Sequence, residues 1–241
     1  MLTIVTFAAA VCGLLIPLVG ICILLNSRAQ LMLIAVISGF IWFISVTIIA
    51  LFFVLLEAKI LTLWALLTAL LQECARLGSV LLYRKLTDMV AGSYNDFNDT
   101  STALAAGIGY AATHSVAIFG SGSTECPVAA AMLALCFQLL DLILFRLAFL
   151  AIPVRERIDP ISKKSTLLTC IVIASHLLAT AGTIAIPCKT SSCVASVPLP
   201  FLALALASAT LYLNLKEVRS LHHFRTLDSP HPPTAAELDD E

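Results

Sequence analysis

Read from its first residue, the chain is a succession of long apolar runs separated by short polar breaks. Seven runs approach or exceed the ~20 residues an α-helix needs to cross ~30 Å of hydrocarbon. They cover Leu2–Leu25, Leu31–Leu56, Leu61–Tyr83, Thr102–Phe119, Val128–Ile152, Ser165–Ile186 and Val197–Leu215. The second and third are separated only by the short turn Glu57-Ala58-Lys59, and the fourth is short and rich in Ala, Gly and polar residues. The pattern predicts an all-α integral membrane protein with seven transmembrane helices. It is read as one seven-helix domain over residues 1–220, followed by a Pro-rich, acidic and disordered tail over 221–241.

Composition strengthens this reading. Hydrophobic residues make up 60% of the chain and the mean hydropathy is +1.00, well above the ~45–50% apolar usage of soluble domains. The formal net charge is −1, and no basic stripe points to nucleic acid. The first basic residue is Arg28, so the leading run lacks the basic flank of a secretory signal and reads as a permanent first helix.

Lys and Arg set the orientation. With the amino terminus lumenal, the cytosolic segments hold Arg28, Arg84, Lys85, Arg155, Arg157, Lys163, Lys164, Lys216, Arg219 and Arg225. The lumenal segments hold only Lys59 and Lys189, while Arg76 and Arg146 lie within spans. The expected topology is therefore amino terminus lumenal and carboxyl terminus cytosolic. Asn98-Asp99-Thr100 has the form of a glycosylation sequon, but this topology places it in the cytosol. Cys188 and Cys193 share one lumenal loop, an oxidising setting that permits a disulfide and leaves it open.

Polar residues inside the apolar runs are the candidate chemistry, because a charge near the bilayer centre costs at least ~2.5–3.5 kcal/mol on insertion scales. Gln72-Glu73-Cys74-Ala75-Arg76 interrupts the third run. Glu73 and Arg76 lie three apart and Gln72 and Arg76 four apart, so on a helix they share a face. Counting from the span ends places Asp141 and His176 at the depth of Glu73, with Arg76 about a turn nearer the cytosol. The expectation is one intramembrane cluster of Gln72, Glu73, Arg76, Asp141 and His176. In the fourth run Gly107, Ala111 and Ser115 recur at four-residue intervals, a small-residue face for close helix packing. His114 lies beside this stripe as a polar neighbour.

Leu70-Leu71-Gln72-Glu73-x-x-Arg76 in a third span, a small-xxx-small fourth span and Ser175-His176-Leu177-Leu178 in a sixth resemble the anterior-pharynx-defective-1 family. The resemblance covers nearly the whole chain apart from its tail. It implies a non-catalytic scaffold subunit of γ-secretase, the intramembrane aspartyl protease complex, with presenilin, nicastrin and Pen-2 as partners. It further implies no cofactor, residence in the endoplasmic reticulum and Golgi with passage to the plasma membrane, and membrane lipid as surroundings. The stripe Gly107, Ala111, Ser115 would be the assembly surface, and His176 the family's sixth-span histidine. Two departures stand out. Only Gly107 of the stripe is glycine, and Asp141 occupies the place of a fifth-span histidine. An acid there could engage His176, and the resemblance implies that Asp141→His is tolerated.

Two other classes compete. CAAX-prenyl-type intramembrane proteases use Glu-Glu-x-x-x-Arg, Phe-x-x-x-His and a later His. This chain offers Gln72-Glu73-x-x-Arg76, Phe137-x-x-x-Asp141 and His176, and a glutamine cannot act as the general base. A small proton- or ion-coupled transporter would use the midplane cluster as its ion site. No inverted repeat or pair of broken helices supports that class.

Overall fold

The computed structural model describes residues 11, 14, 17–23, 29–55, 61–90, 98–122, 127–152, 163–183 and 197–227. These form α1 (17–23), α2 (Ala29–Leu55), α3 (Leu61–Val90), α4 (Asp99–Gly122), α5 (Pro127–Ala151), α6 (Lys163–Thr183) and α7 (Pro198–Leu227). No strand occurs among the described residues. The chain is an all-α, multi-pass helical membrane protein. Among the described residues five helices (α2, α3, α5, α6 and α7) are long and apolar enough to cross a membrane.

Local chemistry fixes the ends. Proline begins α5 and α7, where its missing N–H belongs to a group that is unpaired in any helix, and Pro153 follows the end of α5. Asn98 precedes α4: its side-chain oxygen accepts from the Thr100 amide at 3.0 Å and its carbonyl from the Thr102 amide at 3.1 Å. Asp99 then sits in the first turn, where a negative charge complements the helix dipole. α7 continues through Leu227, past the expected tail boundary at residue 221. The reason is in the sequence: no Gly or Pro interrupts the chain between Phe201 and Ser229.

α4 is the centre of the bundle although it falls outside the five span candidates. Its main neighbours are α5 on one side and α2 on the other. Residues 105–111 of α4 are buried without interruption. A helix enclosed by protein needs no lipid-soluble exterior; it needs small residues that let its neighbours approach. A Cβ on Gly109 would lie 1.9 Å from the Ala35 carbonyl oxygen of α2, and one on Gly107 would lie 2.9 Å from Leu142 Cα of α5. Ser38 of α2 donates to the Ala106 carbonyl at 2.7 Å beside the first contact.

The remaining helices surround this pair. α6 and α7 pack on the far side of α5 through Leu140, Leu144, Leu147, Val172, Ala179, Ala203 and Ala207. α3 bridges α2 and α6. Outward faces are apolar: Phe40, Phe43, Leu51, Leu82 and Leu213 are all exposed. Such a surface suits a hydrocarbon solvent.

Candidate functional site

Glu73 and Arg76 project from one face of α3, as their spacing requires, into the space enclosed by α4, α5 and α6. The Arg76 Nε donates to Glu73 Oε1 at 3.1 Å. Its Nη2 donates to Asp141 Oδ1 on α5 at 2.7 Å, and its Nη1 to the Asp141 backbone carbonyl at 3.1 Å. Tyr110 of α4 and Phe145 of α5 flank the guanidinium, each ring centroid 4.8 Å from Cζ. The planar fork thus has carboxylates along its edge and aromatic rings against its faces, an arrangement arginine tolerates well when buried.

Histidines complete both ends. Asp141 Oδ2 lies 3.1 Å from His114 Nδ1 on α4. Glu73 Oε1 is hydrogen-bonded to His176 Nδ1 on α6. The resulting chain, His176–Glu73–Arg76–Asp141–His114, joins α6, α3, α5 and α4. Its ends come close together: the two imidazole centroids are 6.1 Å apart. Phe137 packs against both rings, and Trp42 of α2 covers His114 at 5.2 Å. Glu73, Arg76, Asp141 and His176 are all essentially inaccessible.

The structure therefore brings four of the five expected cluster residues into one network. Gln72 is buried beside it and takes part through its backbone, whose carbonyl accepts from the Tyr110 hydroxyl at 3.2 Å. The pairing differs from the expectation in one respect. Asp141 engages Arg76 and His114, while His176 engages Glu73. His114 is the network residue that the sequence reading left aside; its signal was an ionisable side chain one residue from a buried small-residue stripe.

Gly107, Ala111 and Ser115 form the expected close-packing face, and α5 occupies it. Gly107 lies against Leu142, Ala111 is fully buried, and Ser115 accepts from Gln138 Nε2 at 2.7 Å. A stripe used in this way packs the chain internally and is not free for a partner. The more demanding glycine, Gly109, stands one face away and belonged to no expected pattern. Cys188 and Cys193, the candidate disulfide, lie outside the described residues.

A second charged clasp lies toward the end of α3. Arg84 meets both carboxylate oxygens of Asp99 at 2.6 and 2.9 Å. It also reaches the Phe149 and Ile152 carbonyls at 3.3 and 3.2 Å, which places its charge on the carboxyl end of α5. Sequence reasoning used Arg84 only as an orientation marker.

Chemically, the central network is a clamp. Aspartyl-protease chemistry needs two carboxylates facing each other across a shared proton; here a guanidinium stands between Glu73 and Asp141. Glu73 Oε2 has no hydrogen-bond partner among the described residues, whereas every other carboxylate oxygen of the network is engaged. No family model, no curated protein and no solved structure matches this chain.

Proposed function

We propose that this protein is a non-catalytic scaffold subunit of an intramembrane protease complex of the γ-secretase type, with presenilin, nicastrin and Pen-2 as its partners. The observation that carries the reading is Arg76 bridging Glu73 and Asp141, because it commits the two carboxylates to holding helices together. A scaffold must present a fixed arrangement of helices to its partners. Hydrophobic sequence alone cannot supply that in lipid, where apolar faces are equally well solvated by acyl chains. Buried ion pairs with a single satisfactory geometry can. In this reading the amino terminus is lumenal, and the protein matures through the endoplasmic reticulum and Golgi to the plasma membrane.

Since α5 covers the Gly107 stripe, partners dock on outer surfaces, and Gly107→Leu impairs assembly by disturbing the α4–α5 contact. Purification of the full chain in mild detergent, followed by identification of co-purifying proteins, tests the proposal. Recovery of presenilin and nicastrin is the expected result. A chain that is folded and abundant but recovers neither overturns it.

One observation favours a second reading, a CAAX-prenyl-type protease: Glu73 bonds His176 through Oε1, while its Oε2 has no hydrogen-bond partner among the described residues. Cleavage of a prenylated peptide by the isolated chain, abolished by Glu73→Gln, would replace the scaffold reading with that one.

A further inference from the structure

Of the three arginine side chains described in the bundle, two are fully committed. Arg76 is held by Glu73 and Asp141, and Arg84 by Asp99 and the end of α5. Arg146 of α5 is not. Among the described residues its guanidinium has no hydrogen bond and no ion pair. The charges that act on it are Asp99 and Arg84, and Arg84 already takes both Asp99 oxygens. An arginine is always charged in a protein, so Arg146 is a permanent cation beside a pair that is complete without it.

Its position is unusual for a charge in a membrane helix, which ordinarily faces the bundle interior. Val128, Met132, Leu135 and Leu139 form the exposed strip of α5, and steps of three and four residues carry that strip through Leu142 to Arg146. Arg146 therefore lies on the outward side of α5, half-buried. Gly107 packs on Leu142, so in these antiparallel helices Ala103 is level with Arg146 and Asp99 is one turn beyond. α5 ends at Ala151, five residues past Arg146, or about 7.5 Å along the axis. An arginine side chain can cover most of that distance by extending toward the headgroups. Lys85 and Lys163 are exposed at the same end of the bundle, which presents cations to the membrane surface.

We infer that Arg146 is a phospholipid anchor: its guanidinium binds the phosphodiester of one glycerophospholipid lying against the α4–α5 seam. The fork of N–H donors matches two phosphate oxygens at once. An acyl chain of the same lipid runs along the apolar strip from Leu142 toward Val128. A phosphate is favoured over an acidic side chain of another protein. It is within reach from the headgroup layer, whereas an acid at this depth would itself have to be carried into the membrane. The anchor fixes the depth of α5, and through Gly107 that of α4. The inference goes beyond the scaffold reading and does not depend on it.

Solid-state NMR tests it, by carbon–phosphorus dipolar recoupling between labelled arginine Cζ atoms and lipid phosphorus. The sample is the full chain in nanodiscs of phosphatidylcholine and phosphatidylglycerol, in phosphate-free buffer. Lipid phosphorus should attenuate the arginine Cζ signal of the wild type, and one arginine's share of that attenuation should be lost in Arg146→Leu. Arg146→Gln should lose the same share and serves if the leucine variant does not fold. A merely structural Arg146 would give equal attenuation in all three proteins, which overturns the inference. So does a contact between the Arg146 Cζ and a carboxyl carbon in the wild type, which would assign the site to an acidic side chain of a second copy.

Discussion

Gly109→Ala is the most discriminating perturbation of the fold, because it adds one methyl group at the tightest contact between helices. The new Cβ would lie 1.9 Å from the Ala35 carbonyl oxygen, 2.3 Å from Ser38 Oγ and 2.8 Å from the Ala35 carbonyl carbon. Two of these atoms belong to the α2 backbone, so no rotamer change relieves the clash and α2 must move. Overpacking of this kind costs about 1–3 kcal/mol. The displacement also strains the Ser38–Ala106 hydrogen bond, worth a further ~0.5–1.5 kcal/mol. Replacing glycine by alanine within a helix returns about 0.5–1 kcal/mol, which leaves a net loss of about 0.5–4 kcal/mol. Gly78→Ala is the matched control, since among the described residues nothing beyond its own helix lies within 4 Å of its Cβ position; it should be neutral or stabilising by the same helix term. Gly107→Ala should fall between, its neighbour Leu142 Cα lying at 2.9 Å. Thermal unfolding in mild detergent, followed by circular dichroism, ranks the three. A Gly109→Ala protein as stable as wild type, or a Gly78→Ala protein destabilised as much, would refute the close α2–α4 contact.

Two other substitutions probe the charged clasps. Arg84→Lys keeps the charge but loses the fork that spans Asp99 and the α5 carbonyls; a loss of about 1–2 kcal/mol is expected, with faster amide hydrogen exchange at the start of α4. Asp141→His, which family resemblance alone marks as tolerated, removes the closest anionic partner of Arg76 and should cost about 3–5 kcal/mol. A wild-type melting temperature for that variant would show that Arg76 does not depend on Asp141.

The helices were legible because their length and apolarity are dictated by the membrane. The depth of Glu73, Asp141 and His176 followed from counting along those helices, since rise per residue is constant. Their pairing did not follow. Which acid meets which base depends on helix rotation and on lateral neighbours, and depth carries no information about either. His114 was left aside for the same reason: as a polar residue beside a small-residue stripe, it gave no sign that Asp141 stood opposite. Arg84 was read as an orientation marker because basic residues at span ends usually contact water or headgroups. Its pairing with Asp99 depends on where α4 begins, which the polar segment ahead of α4 left open. Gly109 was hidden by Gly107, whose four-residue register with Ala111 and Ser115 drew attention to only one of the two faces that α4 buries.

These contacts divide the work of assembling the bundle. Helices in hydrocarbon gain little from burying one apolar face against another, because lipid offers nearly the same environment. Register must then come from contacts that lipid cannot reproduce. Glycine supplies three of them: Gly109 fixes α4 on α2, Gly107 fixes α4 on α5, and Gly182 seats α6 against Pro200 of α7, where a Cβ would lie 2.5 Å from the proline ring. Among the described residues α3 has no comparable glycine contact, and nothing beyond its own helix lies within 4 Å of a Cβ on Gly78. That helix is positioned by its charges, Arg76 and Glu73 in mid-helix and Arg84 farther along. Removing Arg76 therefore differs in kind from removing a glycine contact. It takes from Glu73 and Asp141 the guanidinium they share and at the same time takes from α3 its principal means of finding α5 and α6.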